Sequence, residues 1–221
     1  MLDSNAEYIR LKKAGHAGWG GEGFSFRRDG WSRMVARFLS DNVLQKPPAH
    51  LLELGCGNGM VSGLFARHGY TVNGIELSEE ALLWARETFD AAGLAGLFRQ
   101  GDVCAMPFYS DDRFDAVIDG NCLHCLIGVD RSKCLAEVRR ILRPNGLFLV
   151  SSMCGEPKSE DVRARFDQQI QCLVENGQPY RTLKPAEEII KEVQKAGFHV
   201  SHCEVSENAW WDHLTIVADA D

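Results

Sequence analysis

An apolar run that breaks into three alternating glycines constrains this chain more than any other feature. In Leu51-Leu52-Glu53-Leu54-Gly55-Cys56-Gly57-Asn58-Gly59 a strand pattern ends in a turn. Met60, Val61, Leu64 and Phe65 then recur at helical spacing, and Gly69 stops the helix. A strand that turns through glycines directly into a helix lets backbone come close to a ligand. Such a unit begins an α/β fold.

The middle of the chain repeats the theme. Short apolar runs at residues 50–54, 70–76, 95–100, 114–119 and 147–152 read as strands. Amphipathic segments lie between them, which argues a parallel sheet with covering helices. Ser78 caps one helix, with Leu82, Ala85 and Phe89 on its apolar face, and Gly93 ends it. Another helix carries Leu135, Val138, Ile141 and Leu142, and Pro144-Asn145-Gly146 turns the chain into the fifth strand. Residues 154–184 read as a helical insertion, because Val162, Phe166, Ile170, Leu173 and Val174 share a helix face. Pro185 opens a further helix that Gly197 ends, and runs at about 198–205 and 213–219 suggest an antiparallel strand pair. Before the core, a helix is expected around Trp31–Val43, preceded by the glycine-rich piece Gly15–Gly23 with Trp19 in its middle. The expected organisation is one domain over 1–221: an N-terminal lid (1–49), a ligand-binding core (50–153), a cap (154–184), and a closing helix with a strand pair (185–221).

Composition narrows the partners. The net charge of −7 offers no electrostatic footprint for nucleic acid. No apolar run approaches the roughly 18 residues of a membrane span. Residues 1–18 carry charges but no apolar stretch of the signal-peptide kind, so a cytoplasmic protein is expected. Eight cysteines are scattered along the chain, which in a reducing compartment means free thiols.

In open α/β sheets ligands bind at the carboxyl ends of the strands. Acids stand at several of those ends here. Glu76 closes strand two in Gly74-Ile75-Glu76-Leu77-Ser78, where a carboxylate can accept both hydroxyls of a ribose. Asp102 follows strand three, where it can accept from an adenine amino group while Leu77 and Val103 sandwich the ring. Asp119 ends strand four, near the far end of such a ligand. NAD is the rival. Its fingerprint wants the third glycine three residues after the second, yet that position is Met60, and the glycine comes one residue early at Gly59. Glu53 would oppose a pyrophosphate but can orient an ammonium group. S-adenosylmethionine carries an ammonium group and is the leading candidate.

At this point the chain resembles the class I S-adenosylmethionine-dependent methyltransferases. The matching residues are Leu51–Gly59, Gly74–Ser78, Gly101–Val103, Phe114–Asp119 and Leu142–Gly146. The resemblance implies a Rossmann-like, doubly wound, seven-stranded sheet with the last strand antiparallel. It also implies that Glu76 holds the ribose, Asp102 the adenine, and the loop Gly55, Cys56, Gly57, Asn58, Gly59 the methionine moiety.

Methyl transfer from an activated sulfonium asks the protein mainly to position and desolvate the partners. A general base is needed only for a protonated acceptor, and His124, just beyond strand four, is the candidate. Asn121 and Tyr180 are candidate acceptor contacts. Arg163, Arg165 and Arg181 in the cap suit an acceptor carboxylate. Trp19, Phe24 and Phe26 are placed to cover the cofactor, and Trp210, Trp211 and His213 to pack on the lid or on a second subunit. Cys122 and Cys125 form a C-x-x-C with Cys154 further on, which leaves open a thiophilic acceptor such as arsenite, although no resident metal is expected. The expected activity is methylation of a small molecule at O, N or S by a monomer or homodimer. The alternative from another class is a non-catalytic cofactor-binding module.

Overall fold

The computed structural model describes residues 4–220. In chain order the elements are α1 (Ser4–Lys13), α2 (Phe24–Ser40), β1 (His50–Leu54), α3 (Met60–Ala66), β2 (Thr71–Glu76), α4 (Glu79–Ala92), β3 (Gly96–Gln100), β4 (Phe114–Gly120), α5 (Val129–Ile141), β5 (Leu142–Cys154), α6 (Glu160–Arg165), β6 (Phe166–Asp167), β7 (Cys172–Glu175), β8 (Gln178–Thr182), α7 (Ala186–Lys195), β9 (Phe198–Ser206) and β10 (Asp212–Ala220). The main sheet has seven strands in the order β3-β2-β1-β4-β5-β10-β9, the doubly wound pattern. β1, β2 and β3 run parallel, and β10 is antiparallel to both β5 and β9. Among the described residues no helix is long and apolar enough to cross a membrane.

The chain divides into two compact units. The first comprises residues 4–103 with 114–116. Its strands read as near-continuous apolar runs because both faces are covered, and Leu51, Leu52, Leu54, Val72 and Ile75 are buried. Ser78 caps α4 by accepting from the Ala81 N–H at 3.2 Å, and Gly93 ends the helix in the left-handed conformation at φ 64°. α1 has no strong sequence signal, since only Tyr8 and Leu11 of its ten residues are buried. α2 begins seven residues before Trp31 and ends at Ser40, three short of the expected Val43.

The second unit comprises residues 104–113 with 117–220. Here one expectation is corrected. The insertion after β5 is not helical throughout: α6 ends at Arg165, and β6, β7 and β8 form a small antiparallel sheet. Gln171, Asn176 and Gly177 adopt left-handed φ values of 50°, 51° and 73°, which a continuous helix does not tolerate. Asn176-Gly177 is the two-residue loop between paired Glu175 and Gln178, a hairpin signal that overrides the helical spacing of the apolar residues. Val162 and Leu173 still meet in one core cluster with Met153 and Leu183, against which Phe166, Tyr180 and Trp211 pack.

Candidate functional site

The glycine turn after β1 is built from left-handed backbone: Gly55, Gly57 and Gly59 have φ of 59°, 51° and 76°. The turn is held from below. The Cys56 N–H donates to the Ile75 carbonyl at 3.0 Å, and Glu53, only 4% exposed, accepts from both the N–H (2.7 Å) and the hydroxyl (2.5 Å) of Ser62. Ser62 lies in the first turn of α3, so the acid satisfies an amide there and complements the helix dipole. This differs from the sequence expectation, in which Glu53 orients a ligand ammonium: its Oε2 anchors the helix that follows the turn. Cys56 is buried, and burial, followed by the charges of Glu53 and Glu76, pushes its thiol well above the ordinary value. Gly74 leaves room for it, since a Cβ there would lie 2.6 Å from Cys56 Sγ.

The glycines also make room for protein. A Cβ on Gly57 would lie 2.5 Å from the Tyr8 hydroxyl, and one on Gly59 would lie 3.1 Å from Phe89 and 3.3 Å from Ala85. Asn58, 5% exposed, donates its side-chain amide to the Ala17 carbonyl at 3.0 Å. Trp19 packs on Tyr8 with ring centroids 4.9 Å apart. The N-terminal segment therefore meets the turn through named contacts. Phe26, by contrast, is 72% exposed.

At the end of β2 the Glu76 carboxylate is fixed at both oxygens. Oε2 accepts from the Gly57 N–H at 3.1 Å and Oε1 from the Ser78 N–H at 3.0 Å. Leu77 is 56% exposed although apolar, with its carbonyl held by the Gln100 amide at 3.0 Å. The Gly101 N–H donates to the Glu76 carbonyl at 3.1 Å, which sets Asp102 just beyond β3, exposed, with Val103 buried beside it. A fixed carboxylate at Glu76, an exposed apolar side chain at Leu77 and a further acid at Asp102 thus stand at neighbouring strand ends.

The second unit has its own polar cluster. Asp119 is fully buried; Oδ1 accepts from the N–H groups of Cys122 (2.6 Å) and Leu123 (2.8 Å), and Oδ2 has no hydrogen-bond partner. Burial pushes its carboxyl up to about 6, against the opposing pull of the Leu123 and Cys122 amides and the Arg131 charge. Asn121 sits in the left-handed region at φ 75°, a strained position for a residue other than glycine. The Ser151 hydroxyl lies 3.5 Å from Asn121 Oδ1 and 2.7 Å from His213 Nε2. In the β5–β10 register Ser151 faces Thr215 and Met153 faces His213, so Ser151 and His213 share a sheet face.

His124 lies in a short 3-10 turn, Leu123–Cys125, and is 6% exposed. The turn is pinned by Arg131, which donates to the Leu123 carbonyl at 2.7 Å and to Glu192 at 2.6 and 2.9 Å. Thr182 of β8 adds a bond to the Leu126 carbonyl at 2.8 Å. Tyr180 accepts from Arg165 at 2.9 Å and packs within the cap. Cys125 is exposed, whereas Cys154 is buried, which pushes its thiol up to about 12. Among the described residues no group of three or more His, Cys, Asp or Glu side chains is placed to hold a metal ion. Sequence reasoning missed Tyr8 and Ser151, and noted His213 only as a packing residue. Strand register alone joins Ser151 to His213, whose sequence separation is 62.

The sheet order defines an α/β domain of the doubly wound kind, with the first unit's candidate site at its strand ends. Comparison with known proteins narrows this. Residues 52–150 match the family described as a methyltransferase domain. Over that stretch the chain is similar to the class I S-adenosylmethionine-dependent methyltransferases, and the cofactor this similarity implies is S-adenosylmethionine. It is 35% identical over 119 residues to the fatty-acid O-methyltransferase of Mycolicibacterium smegmatis, an alignment covering 53% of this chain and 38% of the relative. It is 29% identical over 206 residues to the sterol 24-C-methyltransferase ERG6B of Gibberella zeae, covering 85% of this chain and 50% of the relative. The chain thus spans half or less of the length of these curated relatives. The solved PH0226 protein of Pyrococcus horikoshii shares the fold, with a TM-score of 0.72 at 20% identity over 91% of this chain and 93% of that one.

Proposed function

We propose that this protein transfers a methyl group from S-adenosylmethionine to a small molecule. The convergence of Glu76 and Gly57 carries the reading: a strand-end carboxylate bonded to the glycine turn is pre-organised to take a ribose beside it. In the proposed assignment Glu76 accepts the ribose hydroxyls, Leu77 and Val103 flank the adenine, and Asp102 accepts from its amino group. The turn Gly55–Gly59 holds the amino-acid end, and Trp19 covers it. Glu53 acts through α3. When bound, the cofactor supplies a methyl group on an activated sulfonium. The chain supplies orientation and removal of water.

On the acceptor side we assign Asn121 and Tyr180 as contacts. Two histidines can take a proton from an acceptor that arrives protonated, His124 and His213. The Ser151 bond favours His213. If the Ser151 hydroxyl donates to Asn121 Oδ1, it accepts from His213 Nε2, which leaves Nδ1 as the basic nitrogen. The relatives' names point to a fatty acid oxygen and a sterol carbon, so apolar lipid-like acceptors come first among small molecules. The acceptor atom we favour is O, N or S, with no nucleic acid, no membrane span and a cytoplasmic monomer or homodimer as the setting.

The test is transfer of labelled methyl from S-adenosylmethionine to a panel of long-chain fatty acids, phenols, amines, thiols, sterols and arsenite. Label in an organic product supports the reading. Label in methylated arsenic alone would move the acceptor to the thiophilic alternative. Tight cofactor binding with no product from the whole panel would favour the non-catalytic module.

A further inference from the structure

Phe26 is expected from sequence to cover the cofactor, yet its ring stands in the open, 72% exposed. Its neighbours on α2 give that exposure a meaning. Trp31, Val35 and Phe38 are the buried residues of this helix and mark its inner face. Phe26, Gly30, Arg33 and Arg37 recur at the i, i+4, i+7, i+11 spacing of a single stripe. At about 100° per residue, that stripe lies on the side of the helix opposite Val35. Arg33 and Arg37 are exposed, and a Cβ on Gly30 would meet nothing within 4 Å. Packing therefore does not ask for glycine at position 30, although glycine weakens a helix interior. Its small size lets a flat surface come close to the helix backbone.

Charge is segregated on the same helix. Arg27, Arg28, Arg33 and Arg37 stand against one acid within α2, Asp29, in a chain whose net charge is −7. Asp29 pairs with Arg28 at 3.1 Å, and Glu22 and Asp41 lie beyond the two ends of the helix. The stripe itself carries no acid. What a partner of this face uses is the arginines' charge. A guanidinium keeps its charge whatever else it bonds, and its five N–H donors serve more than one acceptor.

An apolar ring standing out among arginines fits one kind of partner best. Lipid phosphates take the guanidinium groups, and the acyl boundary just beneath them takes the ring. A nucleic acid would take the arginines as well, but it offers a ring a place only where its bases are unstacked.

We propose that the outer face of α2 docks on an anionic bilayer surface, with Phe26 inserted at the boundary of headgroups and acyl chains and Arg27, Arg28, Arg33 and Arg37 on lipid phosphates. Docking of this kind is peripheral and reversible, since one ring and four arginines hold a helix in the interface rather than across it. It does not depend on which acceptor is methylated, and it brings the protein to where apolar acceptors partition.

The test is co-sedimentation of the full chain with two kinds of vesicle, pure phosphatidylcholine and equal parts phosphatidylcholine and phosphatidylglycerol. The protein should bind the mixed vesicles and not the neutral ones, and binding should fall as salt rises. Arg33→Gln together with Arg37→Gln should weaken it about thirtyfold, and Phe26→Ser about tenfold. Gly30→Glu adds a carboxylate to the middle of the stripe, in open space and without removing any side-chain contact. It should weaken binding about fivefold, and because it leaves Trp31, Val35 and Phe38 in place it separates the face from the fold. No binding to the mixed vesicles, equal binding to both kinds, or binding that survives unchanged in Phe26→Ser and Gly30→Glu overturns the docking face. Capture of single-stranded RNA in place of the mixed vesicles would overturn it too, and make the partner a nucleic acid.

Discussion

Replacing Asp119 by asparagine should make stability less dependent on pH, and the size of the effect follows from the buried carboxyl. Its folded value of about 6 stands above an ordinary value of 3.8. The sign follows from proton binding. Between those values the folded state holds a proton that the unfolded state has lost, so stability falls as pH rises. The contribution is fully present below about 4 and is lost as pH rises through about 6. A gap of roughly two pH units at about 1.4 kcal/mol each amounts to about 3 kcal/mol of destabilisation at neutral pH. In Asp119→Asn the side-chain amide keeps an oxygen for the Cys122 and Leu123 N–H groups, now at 2.6 and 2.8 Å. Its amino group would enter the place of Oδ2, which has no hydrogen-bond partner, at a cost of about 1–3 kcal/mol. That cost is the same at every pH. The clean quantity is therefore the change with pH in the stability difference between variant and parent, because other titrating groups cancel. Urea unfolding at pH 4.5 and pH 8 should show that difference moving by about 2 kcal/mol in favour of the variant at the higher pH. A difference that does not change with pH would refute the reasoning, and so would one that moves the other way.

Other outcomes follow from single contacts. Gly74→Ala places a methyl 2.6 Å from Cys56 Sγ and 2.7 Å from Phe98, and should cost about 1–3 kcal/mol by thermal unfolding, with weaker cofactor binding because the glycine turn shifts. Arg131→Met leaves Glu192 with only Lys184 and the Leu123 carbonyl with only the Leu126 N–H; urea unfolding should register a loss of about 3 kcal/mol. Thr182→Val removes the bond to the Leu126 carbonyl and should cost about 1 kcal/mol, read by the same method. For an acceptor that must lose a proton, His213→Ala should flatten the acidic limb of the pH–rate profile while binding of S-adenosylhomocysteine persists. Should His124→Ala produce that change and His213→Ala not, the base would be His124 after all.

Much of the first unit is legible in sequence because its signals are local. The glycines stand where φ is positive, Ser78 caps the helix it precedes, and Gly93 ends it. The strand-end position of Glu76 follows from the same short-range pattern, and so does its bond partner's need to be glycine. α1 escapes notice because its apolar content is two buried residues on a charged helix, too little for a periodic signal. The cap misleads because five apolar residues at helical spacing speak louder than Asn176-Gly177, although the dipeptide's φ preference decides the hairpin. Glu53 is legible near the end of β1, but sequence does not tell which way a carboxylate turns, and Ser62 is nine residues away. The Ser151–His213 pair depends on β5 and β10 being neighbours in antiparallel register, a long-range fact.

The central claim is that the glycine turn and Glu76 form an S-adenosylmethionine site rather than a dinucleotide site. Titration calorimetry with S-adenosylhomocysteine and with NAD tests it most directly, on the parent protein and on Glu76→Ala. The account predicts one molecule of S-adenosylhomocysteine bound per chain, no detectable NAD, and about a hundredfold loss of affinity in Glu76→Ala, since charge-assisted bonds to two hydroxyls go together. Binding of NAD in place of S-adenosylhomocysteine, or undiminished affinity in Glu76→Ala, would contradict it.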